Sequence, residues 1–176
     1  LNTLDGRVGG ADVRDDIFGI GSSKLFRKVK RIQIVACGTS LHAGRVAANW
    51  LSAIAGIPTQ VDYASEYRYR NPHVDEDSLL VTISQSGETA DTIAALRYAK
   101  EKDYLSTITI CNVPTSSLAR ESDFFLYTNA GPEVGVASTK AFSTQLTGLM
   151  LLVLSLAKSR KMNPKLRGRV ITALRK

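Results

Sequence analysis

Two short loops that are rich in hydroxyl groups are the parts of this 176-residue chain best suited to chemistry. Residues 37–40 read Cys-Gly-Thr-Ser, residues 84–89 read Ser-Gln-Ser-Gly-Glu-Thr, and each loop follows a run of apolar residues. Hydroxyl groups donate hydrogen bonds, and the backbone N–H groups of a turn that opens a helix attract anions. Phosphate fits these donors best, so the sequence predicts a phosphate site.

The 84–89 loop has donors enough to hold a phosphate without a lysine. Ser84, Ser86 and Thr89 supply three hydroxyl groups, the amides of residues 85–87 can form an anion-binding nest, and Gly87 lets the backbone approach a ligand closely. Each hydrogen bond to a charged acceptor contributes about 1.5 to 3 kcal/mol. The same residues would also make an ordinary helix-capping turn, and the local pattern favours neither interpretation.

Other common catalytic patterns are missing from the sequence. No segment fits the nucleotide-binding pattern G-x-x-x-x-G-K-[ST] or the serine nucleophile pattern G-x-S-x-G. His42 and His73 lie far apart, with no ligand-spaced Cys, Asp or Glu around them. Glu88 fits helix capping better than general-base catalysis. We therefore predict neither a metal nor a cofactor.

Short strands and helices alternate along the chain and would position both loops. This alternation is typical of βαβ units built around a parallel sheet. In such a sheet the carboxyl ends of the strands share one edge, where ligands bind. Both hydroxyl loops directly follow predicted strands, so we expect them at that edge. The predicted strands cover residues 32–37, 59–63, 78–83, 105–110 and 123–127.

The spacing of apolar residues predicts the helices. From Ala43 to Ile54 they recur at i, i+3, i+4 and i+7, which places one stripe against the sheet, and Gly56 before Pro58 ends this helix. Further helices are predicted over residues 90–102 and 116–120.

The last predicted helix is the most apolar. It begins at Ser138 or Thr139, either of which can cap it, and ends near Lys161. Its apolar surface over residues 146–157 is wider than one stripe, which predicts burial by another domain or a partner subunit. This run is shorter than the ~20 residues that cross a bilayer, so we predict no membrane-spanning helix.

The net charge of +7 is concentrated near the C-terminus. Residues 158–176 contain eight basic residues and no acidic residue or aromatic side chain, which favours a connecting segment over a nucleic-acid-binding arm. Residues 1–30 contain five glycines and show no sustained period. We therefore predict a lead-in over residues 1–30, one domain over 31–161 and a basic connector over 162–176.

The composition predicts a soluble globular protein, and the start of the chain and its two cysteines favour the cytoplasm. Apolar residues make up 44% of the chain, charged residues 22%, and the mean hydropathy is -0.04. The start has none of the features of a secretory signal. Cys37 and Cys111 lie at the ends of separate predicted strands, and we expect both thiols to be reduced. Because the chain starts at Leu1, we expect it to be a piece of a longer protein.

Six segments carry the motifs of one known family: residues 37–40, 64–70, 84–92, 111–114, 120–123 and 129–145. Together they resemble the first sugar isomerase (SIS) domain of the glutamine:fructose-6-phosphate amidotransferases, also called glucosamine-6-phosphate synthases. The 84–89 loop is typical of phosphosugar-binding SIS domains in general. The runs EYRYR at 66–70 and GVASTKAF at 135–142 favour the synthases. The resemblance covers essentially the whole chain.

This resemblance implies a fold and a set of binding residues. The fold is α/β, a three-layer αβα sandwich with a five-stranded parallel sheet in flavodoxin-like order, in which the first and fourth strands are not neighbours. Thr39 would shape the pocket, and Val136 and Ser138 would lie near the sugar. The implied phosphate contacts are Ser40, Ser84, Gln85, Ser86 and Thr89.

The resemblance also implies an activity for the parent protein. In this family fructose 6-phosphate is aminated and isomerised to glucosamine 6-phosphate, with ammonia from glutamine that a glutaminase domain hydrolyses. No metal is needed. The catalytic residues for the sugar steps belong to a second SIS domain and a C-terminal tail. The implied role of this chain is therefore to bind fructose 6-phosphate or a related hexose 6-phosphate, within a homodimer, without catalytic residues of its own.

Two other functions stay open from the residues. A regulatory phosphosugar sensor would need a signalling partner such as a DNA-binding domain, and residues 1–30 show no helix-turn-helix pattern. A free-standing phosphosugar isomerase would need a general base. The acids nearest the named loops are Glu66, Glu88 and Glu133, and none of them has the features of a base.

Overall fold

The computed structural model describes residues 2–131 and 140–175. Its elements alternate as the sequence predicts, after a short N-terminal hairpin. In chain order they are a 3-10 turn Asn2–Leu4, β1 Val8–Gly9, β2 Asp12–Val13, α1 Ser22–Phe26, β3 Arg31–Ala36, α2 Gly38–Trp50, β4 Thr59–Tyr63, α3 Ala64–Tyr67, β5 Ser78–Ile83, α4 Ala90–Lys100, β6 Ser106–Cys111, α5 Ser117–Glu121, β7 Phe124–Tyr127, α6 Lys140–Ser159 and α7 Pro164–Leu174.

The five longer strands form one parallel sheet in the order β4-β3-β5-β6-β7. Numbered along the chain, this order is 2-1-3-4-5, which is the flavodoxin-like order. The register pairs Ala36 with Ile83 and Ile83 with Ile110, so the ends of three neighbouring strands are level. The predicted fold class is confirmed, and each predicted strand lies within one residue of its observed bounds.

Helices cover both faces of the sheet, because the strand side chains alternate between the faces. Ile34 and Val81 pack toward α2 and α6 in the larger core, whereas Val35 and Leu80 pack toward α3, α4 and α5. The three central strands β3, β5 and β6 are buried on both sides, which gives the three layers of the predicted sandwich.

Most predicted helix limits are close to the observed ones. The helix that follows β3 continues after Trp50 as a π-helical turn, Leu51–Ala55, and Gly56 ends it with a φ of +64°. Glycine adopts such a left-handed angle more easily than other residues do. The predicted end of the helix at Gly56 is therefore confirmed. The predicted caps of α6 at Ser138 and Thr139 lie outside the described residues, and α6 ends at Ser159 rather than near Lys161.

Helix α6 is long and apolar enough to cross a membrane by length and composition alone. Within its most apolar 18-residue stretch, 72% of the residues are buried inside the protein. A Cβ atom added to Gly148 would lie 3.0 Å from Leu126 Cδ2, so this helix packs tightly on β7. Burial of this kind is typical of the core helix of a globular domain.

The segment before β3 is packed against the domain. Val13, Phe18 and Phe26 are buried in the larger core, and the two phenylalanine rings meet edge to face with centroids 5.6 Å apart. The backbone N–H of Phe125 donates to Phe18 O at 3.0 Å, which covers the free edge of β7. The boundary predicted at residue 30 stays a prediction, but the segment before it is ordered by these contacts. Its buried residues are irregularly spaced, which is why no sequence period indicated their packing.

Two of the basic residues near the C-terminus, Lys158 and Arg167, pair with acidic residues of the N-terminal segment. Arg167, with a side chain only 7% exposed, donates through Nη2 and Nε to the Asp12 carboxylate at 2.8 Å and 3.0 Å. Lys158 pairs with Asp15 at 2.9 Å. Part of the concentrated positive charge therefore stabilises the packing of the N-terminal hairpin against α6 and α7. The connector predicted over residues 162–176 stays a prediction.

We expect the Asp12–Arg167 pair to make stability depend on pH. The hydrogen bond from Arg167 lowers the pKa of Asp12 below its usual value. Its stabilisation is therefore complete above the unfolded pKa of about 3.9, and it is lost as the pH falls through the lower folded pKa. Asp12→Asn should lower the free energy of unfolding at pH 7 by about 1.5 to 3 kcal/mol, because hydrogen bonds to a charged group are removed.

Urea unfolding at pH 7 and pH 2.5 measures both effects. The difference between the wild type and Asp12→Asn should shrink at the lower pH, because Asp12 takes up a proton in the unfolded chain below its unfolded pKa of about 3.9. Asp103→Asn is the matched control, since Asp103 is exposed and makes no ion pair with the described residues. An Asp12→Asn deficit that stays the same at both pH values would show that the charge on Asp12 contributes nothing.

Candidate phosphate-binding site

The two hydroxyl loops lie side by side at the carboxyl edge of the sheet. The 37–40 loop follows β3 and the 84–89 loop follows β5, and these strands are neighbours whose last residues, Ala36 and Ile83, are paired. Strand β3 has β4 on one side and β5 on the other. The strand order reverses at this point, and ligands of open parallel sheets bind in the crevice outside such a reversal.

The 37–40 loop turns the chain sharply from β3 into α2. Cys37 is extended, and Gly38 has a φ of +55°. Among the described residues, the N-cap residues of α2 and α4, Cys37 and Thr89, make no side-chain capping hydrogen bond. By contrast, Ser116 caps α5 and Asn163 caps α7. The N–H groups in the first turns of α2 and α4 are therefore available to a ligand.

Internal hydrogen bonds shape the 84–89 loop. Ser84 is buried, and its Oγ accepts from the Gly87 N–H at 3.0 Å and lies 3.1 Å from Thr89 Oγ1. The Ser86 Oγ accepts from the Glu88 N–H at 3.1 Å. The Ser86 hydroxyl only accepts within the loop, and one of Ser84 and Thr89 donates to the other, so the Ser86 proton and one proton of the Ser84–Thr89 pair are left for an anion. The structure thus brings Ser84 and Thr89 into direct contact and holds Ser86 in the same turn.

The predicted nest is smaller than the sequence suggests. The Gly87 amide, which belongs to the predicted nest of residues 85–87, donates to Ser84 Oγ inside the loop. The N–H groups of Gln85 and Ser86 have no hydrogen-bond partner in the described part of the chain. The prediction was wrong for Gly87 because a serine three residues earlier competes for its N–H.

Glu88 is a cap, and it acts on a neighbouring helix. Its Oε1 accepts from the Ser117 N–H at 2.7 Å, at the start of α5, and this hydrogen bond lowers the pKa of Glu88. A carboxylate held in its ionised form by a backbone N–H is poorly suited to take up a proton. The interpretation of Glu88 as a capping residue is confirmed, although the sequence indicated its own helix.

Gln145 in α6 was not predicted as a site residue. Its Nε2 donates to Ser40 Oγ at 3.0 Å, across a sequence separation of 105 residues. Both side chains are buried. The local sequence around Gln145 is an apolar helix, so no spacing or motif indicated this long-range contact.

The structure describes two of the other predicted site residues, Thr39 and Gln85. Thr39 is exposed beside Ser40, and Gln85 is half-buried in its loop. Val136 and Ser138 lie outside the described residues. The loop that leads toward them is fastened by Asn112, whose Oδ1 accepts from the Ala130 N–H at 2.7 Å and whose Nδ2 donates to Gly131 O at 3.0 Å.

Neither cysteine forms a disulfide. Cys37 and Cys111 are free, as predicted, and they follow or end strands β3 and β6, which β5 separates. Burial raises the pKa of the Cys111 thiol, so this residue is a core residue rather than a nucleophile. Among residues 2–131 and 140–175, no three His, Cys, Asp or Glu side chains gather as ligands for a metal ion.

Comparison with known proteins supplies a family for this arrangement. Residues 25–155 match the model of the SIS domain family. The chain is 60% identical over 159 residues to a glutamine–fructose-6-phosphate aminotransferase [isomerizing] of Pseudomonas aeruginosa, covering 90% of this chain and 26% of the relative. A relative of the same name from Idiomarina loihiensis is 53% identical over 173 residues, covering 98% and 28% of the two chains. The chain thus spans about a quarter of the length of these curated relatives.

Solved structures have the same fold. The C-terminal domain of glucosamine-fructose-6-phosphate aminotransferase from Francisella tularensis superposes with a TM-score of 0.95 at 45% identity, over 99% of this chain and 49% of that one. A glucosamine-6-phosphate deaminase from Thermotoga maritima superposes with a TM-score of 0.69 at 24% identity, over 85% and 48%. At that identity the second likeness concerns the fold alone.

Proposed function

The chain belongs to the SIS domain family, and from that premise we propose that it binds fructose 6-phosphate, or a related hexose 6-phosphate, through the 37–40 and 84–89 loops. The parent protein would convert fructose 6-phosphate and glutamine to glucosamine 6-phosphate and glutamate. The relatives that cover most of this chain carry the name of that activity.

The observation that carries the proposal is the concentration of hydrogen-bond donors at one point of the sheet edge. Two neighbouring helices begin there without side-chain caps. Ser84 and Thr89 lie in contact between them, and the amides of Gln85 and Ser86 have no other partner among the described residues. A phosphate dianion needs several donors, and dipoles of helix N-termini favour its charge. We assign its contacts to Ser40, Ser84, Gln85, Ser86 and Thr89.

The sugar would extend from the phosphate toward the ends of β6 and β7. Thr39 would form part of the pocket wall, and Val136 and Ser138 would contact the sugar. We assign no catalytic residue to this chain, because the acidic residue of the 84–89 loop, Glu88, is engaged with α5. Amination and isomerisation would need groups from other parts of the parent protein.

The rest of the parent protein would complete the function. We infer a glutaminase domain and a second SIS domain, since this chain spans only about a quarter of its relatives. The 162–176 segment would connect toward the second SIS domain, and two copies would associate through their SIS domains. The cytoplasm is the compartment that suits this chemistry and the two free thiols.

Calorimetric titration of the chain with fructose 6-phosphate tests the proposal. Fructose, inorganic phosphate and ribose 5-phosphate are parallel controls. Binding of the hexose phosphate alone would support a selective sugar pocket, whereas equal binding of every phosphate would limit the site to an anion nest. Absence of binding at millimolar concentration, confirmed by a second method that does not depend on heat, would contradict the proposal for this chain.

A further inference from the structure

Gln145 has one polar partner for its side chain in the described structure, and that partner belongs to the proposed site. Its Nε2 donates to Ser40 Oγ at 3.0 Å, and its Oε1 is buried with no hydrogen-bond partner among the described residues. The residue as a whole is 2% exposed. An unpaired buried acceptor is unfavourable, and an apolar side chain of similar shape would avoid that cost. The amide at this position therefore acts on Ser40 and does little else.

The direction of this hydrogen bond decides what Ser40 can do. A serine hydroxyl has one proton to donate and two lone pairs that accept. Gln145 occupies a lone pair, and no oxygen among the described residues accepts the Ser40 proton. The proton is therefore left for a ligand. Without Gln145, the hydroxyl could turn back to the carbonyl of Cys37 or Ala36, three or four residues earlier, as serines in helices do.

We propose that Gln145 is a positioning residue of the phosphate site, which holds the Ser40 hydroxyl as a hydrogen-bond donor to the ligand. This inference rests on the proposed function and deepens it. The contact also joins α6 to the first turn of α2. The polar side chain is then explained by ligand binding rather than by folding.

Gln145→Met tests this role, because methionine keeps the length of the side chain and removes its hydrogen bond. We expect the dissociation constant for fructose 6-phosphate to rise about tenfold, the loss expected when one donor to a charged acceptor is misdirected. The urea midpoint should stay the same or rise, since an unpaired buried oxygen is removed. In a Ser40→Ala background, Gln145→Met should change affinity by less than about twofold, because the two residues act through one hydrogen bond.

Gln33→Met is the matched control. Gln33 is also a buried glutamine, and its Nε2 donates to Asp62 Oδ2 at 3.0 Å in the sheet, away from the loops. Gln33→Met should lower the urea midpoint and leave the dissociation constant for fructose 6-phosphate unchanged. Both outcomes are the reverse of those expected for Gln145→Met.

Three results would overturn the inference. One is wild-type affinity in Gln145→Met, and another is an undiminished effect in the Ser40→Ala background. The third is a lowered urea midpoint or failure to fold, which would make the amide a structural residue. If the wild type itself bound no sugar phosphate, the proposed function would fail separately. A crystal structure of ligand-free Gln145→Met would then decide the positioning role: a changed Ser40 rotamer would support it, and an unchanged rotamer would contradict it.

Discussion

Replacing Gly87 with alanine should destroy phosphosugar binding and destabilise the domain. Gly87 has a φ of +70°, and a Cβ atom there would lie 2.1 Å from Ser116 Oγ and 2.5 Å from Ser116 Cβ. The left-handed angle costs an alanine about 1 to 2 kcal/mol, and relieving the overlap costs about 1 to 3 kcal/mol more. Because the Leu118 N–H donates to Gly87 O at 3.1 Å, the loop cannot move without disturbing α5. We expect binding to weaken more than about a hundredfold, since several charged hydrogen bonds are misplaced together.

Urea unfolding and calorimetric titration measure the two effects, and Gly56→Ala separates their causes. Gly56 has a similar φ of +64°, but nothing lies within 4 Å of the added Cβ atom. Gly56→Ala should therefore lose only the part of the stability that the left-handed angle costs, and its affinity for fructose 6-phosphate should be unchanged. Adding Ser116→Gly to Gly87→Ala removes both overlapping atoms and should restore part of the stability. Equal losses in Gly87→Ala and Gly56→Ala would contradict the proposed close contact between the loop and α5.

Removing the hydroxyl groups of Ser86 and Thr89 together should abolish binding and leave the fold intact. Each hydroxyl is proposed to donate to the phosphate, and two such hydrogen bonds account for about 3 to 6 kcal/mol. The dissociation constant should rise at least a hundredfold. Stability should change little, because both side chains are partly exposed. The Glu88 N–H, which donates to Ser86 Oγ in the wild type, can donate to water instead.

The Ser155→Ala/Thr172→Ala variant is the control for this pair. Each of these hydroxyls donates to the carbonyl four residues earlier in its own helix, in α6 and α7 respectively. The control should bind fructose 6-phosphate as the wild type does. Unchanged affinity in Ser86→Ala/Thr89→Ala would count heavily against the assignment of the site to the 84–89 loop.

Local sequence patterns predicted the parts of the fold that local interactions determine. The strands were predictable because β-branched runs fit a sheet buried on both faces. The stop at Gly56 was predictable because few other residues adopt its backbone angle. The position of the two loops followed from the strands, since parallel strands end at one edge.

The parts that the sequence did not predict depend on contacts between distant residues. Gln145 lies in an apolar helix, and only the packing of α6 on α2 brings it to Ser40. Glu88 carries a capping signal, but the N–H it accepts from belongs to Ser117 in another helix. Phe18 packs beside β7 through an irregular segment whose buried residues have no period. Each of these contacts is specified by tertiary packing, which no window of neighbouring residues contains.

A crystal structure of the chain with glucosamine 6-phosphate would test the phosphate site most directly. We expect the phosphate oxygens to lie within hydrogen-bond distance of the Ser40, Ser84, Ser86 and Thr89 hydroxyls and of the Gln85 and Ser86 amides. A ligand found at another place would contradict the assignment of the site to the 37–40 and 84–89 loops. One such place is the basic cavity of about 500 Å³ that Arg14 and Arg27 help to line.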